Sequence, residues 1–506
     1  MAPEAVKGQG PKARNKGTSQ PKKHANPASS KPRNLTNRPH PTFKRETFRT
    51  SREMDFFSKR ELVAQVGHDI EEWPLVILKE LLDNALDATE EEGIAPEIEV
   101  VADATGITVI DNGPGLPDST IESVLDFSIR VSSREAYVSP TRGAQGNALK
   151  TLAAMPYAVD SEKGRLIVDS CGERRSIRCA MDPVTRRAVV HCEPSPSNRK
   201  SGTLIRLEWG PRTQHNDEIV WPFDEICPVG GGGYVWHRSL EEQTNTLLRG
   251  FAMFNPHLTL SVDWFGTKWT AKATDPTWRK WQPNHPTSPH WYKREHFERL
   301  IGAYIAADQD RGSSRTVAAF VAEFDGLTGS RKRKLVLDEV RLLKREPLTV
   351  LTDENGFRHE LVDQLLEAMK KHTRPVKPVR LGIIGKDHLL ARFTEAGCDP
   401  EQFQYSKKVG DDNGLPYVLE SAFAWRGEES DERREILAGA NWSAAIKNPF
   451  RSFGSTGEGL EAHLTELKAG AHEPILFALH LAHPRIQFAD RGKSSIIIRN
   501  TMENEE

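Results

Sequence analysis

The sequence predicts an α+β chain of several domains, and three observations carry that reading. Leu78, Leu81, Leu82, Ala85 and Leu86 make an apolar stripe at helical spacing, suited to docking on a sheet. Residues 96–100 and 106–111 alternate polar and apolar and predict two antiparallel strands, with several more across 159–207. Beyond residue 375, strand patterns at 417–423 and 475–480 are separated by a helical stretch over 458–469. With 506 residues the chain has room for three or so domains and an ample core.

Residues 1–45 are rich in Pro, Asn, Ser, Lys and Arg, and Glu4 is the only acid before Glu46. That composition predicts a disordered basic arm, which would either touch nucleic-acid phosphates or merely solubilise the chain. The formal net charge of −2 selects no partner for the chain as a whole. Five cysteines show no Cys-x-x-Cys spacing, which argues against a thiolate metal site and for free thiols in a reducing compartment. No apolar run reaches the roughly 18 residues of a membrane span, and no signal-peptide core opens the chain. A cytoplasmic location is expected, nucleoid-associated if the chain binds DNA.

The chemistry concentrates between Glu80 and Lys150. Glu80 and Asn84 stand four residues apart and share one helix face, which Asp87 and Ala88 extend by a turn. Asn84 offers a neutral oxygen suited to Mg²⁺, and Glu80 is placed to polarise a water for attack on a phosphate. Asp111 ends the second predicted strand, at the lip of a turn, Asn112-Gly113-Pro114-Gly115, whose glycines let backbone approach a flat ligand. A carboxylate there can accept from an exocyclic amine such as that of adenine. Finally, Arg142-Gly143-Ala144-Gln145-Gly146-Asn147 leads into an apolar helical run from Ala148 to Met155, including Leu149 and Lys150. Backbone amides at such a helix start suit phosphate. The spacing is neither a Walker A loop nor a dinucleotide fingerprint. Singly, these pieces also fit a solvated helix face and an ordinary turn. In this order and at these intervals they signal an ATP site.

The three boxes resemble those of the Bergerat-fold (GHKL) ATPases: gyrase B subunits, the heat-shock chaperone, MutL and sensor histidine kinases. Within that superfamily the run from Glu80 to Ile98 and the Arg142-Gly-Ala-Gln-Gly146 wording are similar to the B subunit of DNA topoisomerase VI. The resemblance implies Glu80 as general base, Asn84 as Mg²⁺ ligand and Asp111 as the adenine-reading acid. It places Gly113 and Gly115 beside the base, and Gly143, Gln145, Gly146, Asn147, Ala148, Leu149 and Lys150 over the phosphates. It assigns the Thr203 hydroxyl, in Ser201-Gly-Thr-Leu-Ile-Arg-Leu207, to assist Asp111. Ala148 departs from the pattern, standing where a glycine is usual in the lid, and stiffens it.

The resemblance extends over roughly residues 46–500. It implies a Bergerat α/β-sandwich ATPase domain over 46–285, opening with a strap exchanged between protomers. A helix-two-turns-helix-like insert is expected over 286–345, and a transducer-like, ribosomal S5-like α/β domain over 346–506. The Asn255-Pro-His257 wording before a strand belongs to the same likeness, as does Glu435-Ile-Leu-Ala-Gly-Ala440. Gly230 to Gly233 reads as a loop, because no Lys-Ser/Thr follows. Gly492-Lys493 falls where the family places a lysine that reaches the γ-phosphate from the second domain, and an ammonium on a flexible stem fits that task. Arg331-Lys-Arg-Lys334, with Arg341, Lys344 and Arg345, is the strongest basic cluster of the folded part, and reads as a DNA backbone contact or a solvated helix face.

Two functions follow as expectations. One is a Mg²⁺-dependent ATPase that closes as an ATP-gated dimer around DNA and works with a separate Toprim cleavage subunit. In the family a long helix after the transducer carries the docking surface for that subunit, whereas here only Ser494 to Glu506 follow Lys493. No catalytic-tyrosine context is evident, so the chain by itself is not expected to cut DNA. The other is a nucleotide-gated interaction module of a mobile element or defence system, without topoisomerase activity.

Overall fold

Trp73 and the leucines that follow it must find an apolar partner, and a sheet supplies it. In the computed structural model, described for residues 56–127, 137–142, 148–182, 184–185, 187–210, 212–213, 219–221, 235–282, 284–427, 433–451 and 458–497, a short helix α1 (Lys59–Val66) precedes α2 (Trp73–Glu91). Pro74 lies in the first turn of α2, where its missing N–H costs no helical bond. The stripe Leu75, Leu78, Leu82, Ala85 and Leu86 is buried. β1 (Glu97–Asp103) and β2 (Gly106–Asp111) form an antiparallel hairpin paired from Ile98–Asp111 to Asp103–Gly106. Asp103 Oδ1 accepts the Thr105 N–H at 2.7 Å and closes the turn.

After α3 (Asp118–Leu125) and α4 (Ala148–Val159) come β3 (Arg165–Ser170), β4 (Glu173–Met181), β5 (Ala188–Pro196) and β6 (Thr203–Glu208). A two-residue ladder, β7 (Arg212–Thr213) with β8 (Ile219–Val220), follows. Next are α5 (Val235–Phe254), β9 (Thr259–Trp264) and β10 (Thr267–Ala271). The large sheet has the order β10-β9-β1-β2-β6-β3-β4-β5, antiparallel except between β1 and β9. α2 packs on β2, and α4 on β3, β4 and β6.

A helical stretch follows: α6 (Arg294–Asp310), α7 (Val317–Val321), α8 (Ser330–Glu339), a minimal hairpin β11 (Thr352–Asp353) and β12 (Gly356–Phe357), α9 (His359–Lys371) and α10 (Lys386–Glu395). Tyr292, Phe297, Phe320 and Phe324 stack edge-on or tilted at its centre. A second sheet is built from β13 (Gln404–Asp412), β14 (Leu415–Trp425), β15 (Glu435–Ala440), β16 (Ser443–Ala444) and β17 (Ile475–Ala482), with α11 (Leu460–Glu466) against it. Its order is β13-β14-β17-β15-β16, and β15 runs parallel to β17.

α5 is the shared wall. It packs on α2 in one layer and on β15 and β16 in the other. Gly439 permits this, because a Cβ there would stand 2.5 Å from the Phe254 ring. Residues 51–506 accordingly form one compact unit. The fold is mixed α+β, as expected. The basic arm, the 128–136 stretch and Gly230–Gly233 lie outside the described residues. Among those described, no helix is long and apolar enough to cross a membrane.

Candidate nucleotide site

α2 carries two polar faces. Glu80 and Ala88 are half-buried and Asn84 is exposed, so positions 80, 84 and 88 form one open line. Asp83, Asp87 and Glu90 lie on the neighbouring flank and are buried. The open line fits the assigned roles of base and ion ligand, while Asp87 turns to a protein partner instead.

Beside it, Asp111 ends β2 with its carboxylate directed inward. Its Oδ1 accepts the Gly113 N–H at 2.8 Å and the Thr203 N–H at 3.2 Å. Burial raises the Asp111 carboxyl above its ordinary value, opposed by those two amides, by the Arg199 charge and by the Thr203 hydroxyl. Thr203 therefore contributes backbone as well as side chain. Gly202, at φ 73°, donates its N–H to the Gly113 carbonyl at 2.7 Å, and a Cβ there would collide with the Asp111 carbonyl oxygen. A Cβ on Gly115, at φ 100°, would stand 2.8 Å from Cys171 Sγ. The two glycines keep the lip narrow on the side facing β3 and β6.

Of the lid residues, Gly143, Gln145, Gly146 and Asn147 lie outside the described residues. Ala148 and Leu149 open α4, both half-buried. Lys150 is buried and donates to the Asp126 carbonyl at 2.5 Å, an orientation the sequence does not reveal.

Lys493 arrives from the far end of the chain. It stands at φ 54° in a turn closed by Ser494 N–H donating to Asp490 Oδ1 at 3.1 Å. The turn docks on the end of α1, where the Gly492 carbonyl lies 3.1 Å from His68 Nε2 and Gly67 has no room for a Cβ. Lys493 Nζ donates to the Arg142 carbonyl at 3.1 Å. Burial lowers its ammonium below its ordinary value, as does Lys79, while Glu80, Asp83 and Asp87 pull the other way. Residues 80, 142 and 493, far apart in sequence, thus meet in one place.

A buried charge cluster joins them, and most of it went unread in the sequence. Arg142 donates to Asp87 Oδ1 at 2.8 Å, to the two Glu90 oxygens at 2.7 and 2.6 Å, and to Asn255 Oδ1 at 2.6 Å. Glu90 also meets Lys280 Nζ at 2.8 Å and His257 Nε2 at 2.9 Å. Burial opposes ionisation of Glu90, but Arg142, Lys280 and His257 overcome it and hold its carboxyl well below its ordinary value. Asn255 Nδ2 donates to the Trp442 carbonyl at 2.9 Å, so the second sheet is tied in. The Asn255-Pro-His257 wording was the one visible signal of this cluster.

An Asp111 lip, a Glu80–Asn84 helix face and a basic loop-to-helix entry define a nucleotide-binding class of protein. Residues 70–208 match the family described as histidine kinase-, DNA gyrase B- and HSP90-like ATPase. The particular likeness is narrower. The chain is 23% identical over 440 residues to the B subunit of type 2 DNA topoisomerase 6 from Archaeoglobus fulgidus, covering 83% of this chain and 66% of that protein. It is 21% identical over 460 residues to the namesake of Metallosphaera sedula, covering 85% and 76%. Over 110 residues it is 39% identical to that of Methanosarcina mazei, covering 21% and 17%. The chain is thus a protein similar to the topoisomerase VI B subunit and carries a GHKL ATPase domain. It spans about two thirds of the Archaeoglobus relative's length.

Proposed function

We propose that the chain binds and hydrolyses ATP with Mg²⁺, closes as an ATP-gated dimer around DNA, and works with a separate cleavage subunit. The observation that carries this reading is the meeting of Lys493 with the Arg142 carbonyl beside Glu80. In this reading Asp111 accepts from the adenine amine, with Gly113 and Gly115 admitting the base plane. Gly143, Gln145, Gly146, Asn147, Ala148, Leu149 and Lys150 close over the phosphates. Glu80 takes a proton from the attacking water, and Lys493 donates to the γ-phosphate. Among the described residues no cluster of three His, Cys, Asp or Glu is placed to hold a metal. Asn84 would therefore hold Mg²⁺ together with the nucleotide's own oxygens and waters, which suits an ion that retains much of its hydration. When bound, Mg²⁺ neutralises charge on the phosphates.

The helical module offers the DNA contact. Arg331, Lys332, Lys334, Arg341, Lys344 and Arg345 are exposed on and after α8, a surface suited to phosphates. The relatives' name supports the pairing with a cleavage subunit and the dimer.

The deciding experiment compares wild type with Glu80→Ala. The variant is expected to keep nucleotide binding and lose Mg²⁺-dependent turnover, and light scattering should find it trapped as a dimer on ATP. Wild-type turnover in that variant would refute the assignment. A single mass with and without a non-hydrolysable analogue would refute the gate. Closure and turnover without any effect on DNA topology, in the presence of a cleavage subunit, would instead indicate a nucleotide-gated interaction module.

A further inference from the structure

The residue before Glu80 is a lysine with no route to solvent. Lys79 is 7% exposed, and its Nζ donates to Asp83 Oδ2 at 2.6 Å and to Ser443 Oγ at 2.5 Å. Ser443 Oγ in turn donates to the same Asp83 oxygen at 2.8 Å, which closes a three-membered ring. Asp83 and Ser443 are 4% and 6% exposed. Lys79 and Asp83 bracket the turn of α2 that holds Glu80 and precedes Asn84. Ser443 belongs to β16, at the edge of the second sheet, more than 350 residues away in sequence.

The turn that delivers Ser443 is unusual. Asn441 and Trp442 both have positive φ, 50° and 63°, a region that a bulky side chain adopts only under constraint. The constraints are visible. Asn441 Oδ1 accepts the His483 N–H at 2.9 Å, and the Trp442 N–H donates to His480 Nε2 at 2.8 Å. The Trp442 carbonyl receives Asn255, and Arg142 Nε at 3.4 Å. Asp83 Oδ1, turned away from the ring, lies 4.0 Å from Arg142 Nε. One strained turn of the second sheet therefore grips both the base of the lid and the helical turn that carries Glu80.

We infer that Lys79 and Ser443 are positioning residues for Glu80: the Ser443 hydroxyl, through Lys79 and Asp83, sets the rotation of the α2 turn so that Glu80 is aligned when the second sheet is docked. This rests on Glu80 being the general base. A helix gripped at one turn by a hydrogen-bonded ring has no freedom to roll there, and small misplacement of a base is costly to turnover. Neither Lys79 nor Ser443 touches the nucleotide in this scheme, so binding should be spared.

The test is steady-state ATPase and nucleotide titration on the full chain with Ser443→Ala, Ser443→Thr and Lys79→Met. Ser443→Ala is expected to lower kcat by on the order of tenfold, with KM and nucleotide Kd changed by less than about twofold. Ser443→Thr keeps the hydroxyl and should restore most of the rate. Lys79→Met should resemble Ser443→Ala in its split of kcat from KM. If Ser443→Ala fails to fold, Ser443→Cys, with its weak donor in nearly the same volume, takes its place and should show the same split. Wild-type kcat in Ser443→Ala would overturn the inference, as would a loss of kcat matched by an equal loss of nucleotide affinity. Glu80→Ala run in parallel separates the two ideas. If it is inactive while Ser443→Ala is normal, only the positioning role falls. If it is fully active, the base assignment falls first.

Discussion

Replacing Lys493 with methionine keeps the aliphatic stem and deletes the ammonium, and the structure predicts effects of opposite sign on turnover and stability. Its one side-chain hydrogen bond among the described residues goes to a neutral carbonyl, that of Arg142, and among those residues it forms no ion pair. A charge-assisted contact to the γ-phosphate contributes about 1.5–3 kcal/mol. Losing it mainly in the closed state slows hydrolysis by about one to two decades. ADP, which lacks that phosphate, should bind normally. Stability moves the other way. Burial places the folded-state value of Lys493 below its ordinary one. A base shifted in that direction destabilises the fold at every pH below its folded value, and the penalty fades as pH rises through it. At neutral pH, Lys493→Met should therefore melt at the wild-type temperature or above. A coupled-enzyme ATPase assay and a thermal scan on the same preparation check both halves. Wild-type turnover would make Lys493 an ordinary turn residue. Slow turnover together with a lowered melting temperature would make it structural, and would refute the poised-cation argument.

Two other outcomes follow from the site. Asp111→Asn presents an amide donor where the adenine amine must donate, and should weaken ATP binding by roughly 1–3 kcal/mol in a calorimetric titration, an unchanged Kd removing Asp111 from the pocket. Because burial raises the Asp111 carboxyl above 3.8, wild-type ATP affinity should begin to fall with acid earlier than for an ordinary aspartate. Glu90→Gln leaves Arg142 and Lys280 buried with one acid fewer, which should cost about 3–5 kcal/mol of stability at neutral pH. The Glu90 carboxyl is depressed in the folded state, so its contribution is complete above its ordinary value of 4.5 and is lost as pH falls below it. Denaturation curves for the two proteins should accordingly converge in acid, and a gap that widened there would contradict the assignment.

The local pattern was enough to place the catalytic helix, the Asp111 lip and the hairpin beneath it. Glu80, Asn84 and Ala88 are bound to one face by the helical repeat, and Asp111 to a strand end by alternation, whatever the rest of the chain does. The same local logic put Glu435–Ala440 and Ile475–Ala482 in strands. What lay beyond it was the use of the second polar flank of α2. Asp83, Asp87 and Glu90 have the spacing of a solvated face, and only burial against Arg142, Lys79 and Lys280 distinguishes them from one. Those partners come from a loop, a neighbouring turn and a segment almost two hundred residues on. Ser443 and Lys493 come from farther still, across a wall made by α5 and opened by Gly439. Helix and strand periods are properties of neighbours in sequence and can be read there. The pairing of buried charges is decided by which surfaces exclude water together, and that exists only once the two sheets have packed on the same helix.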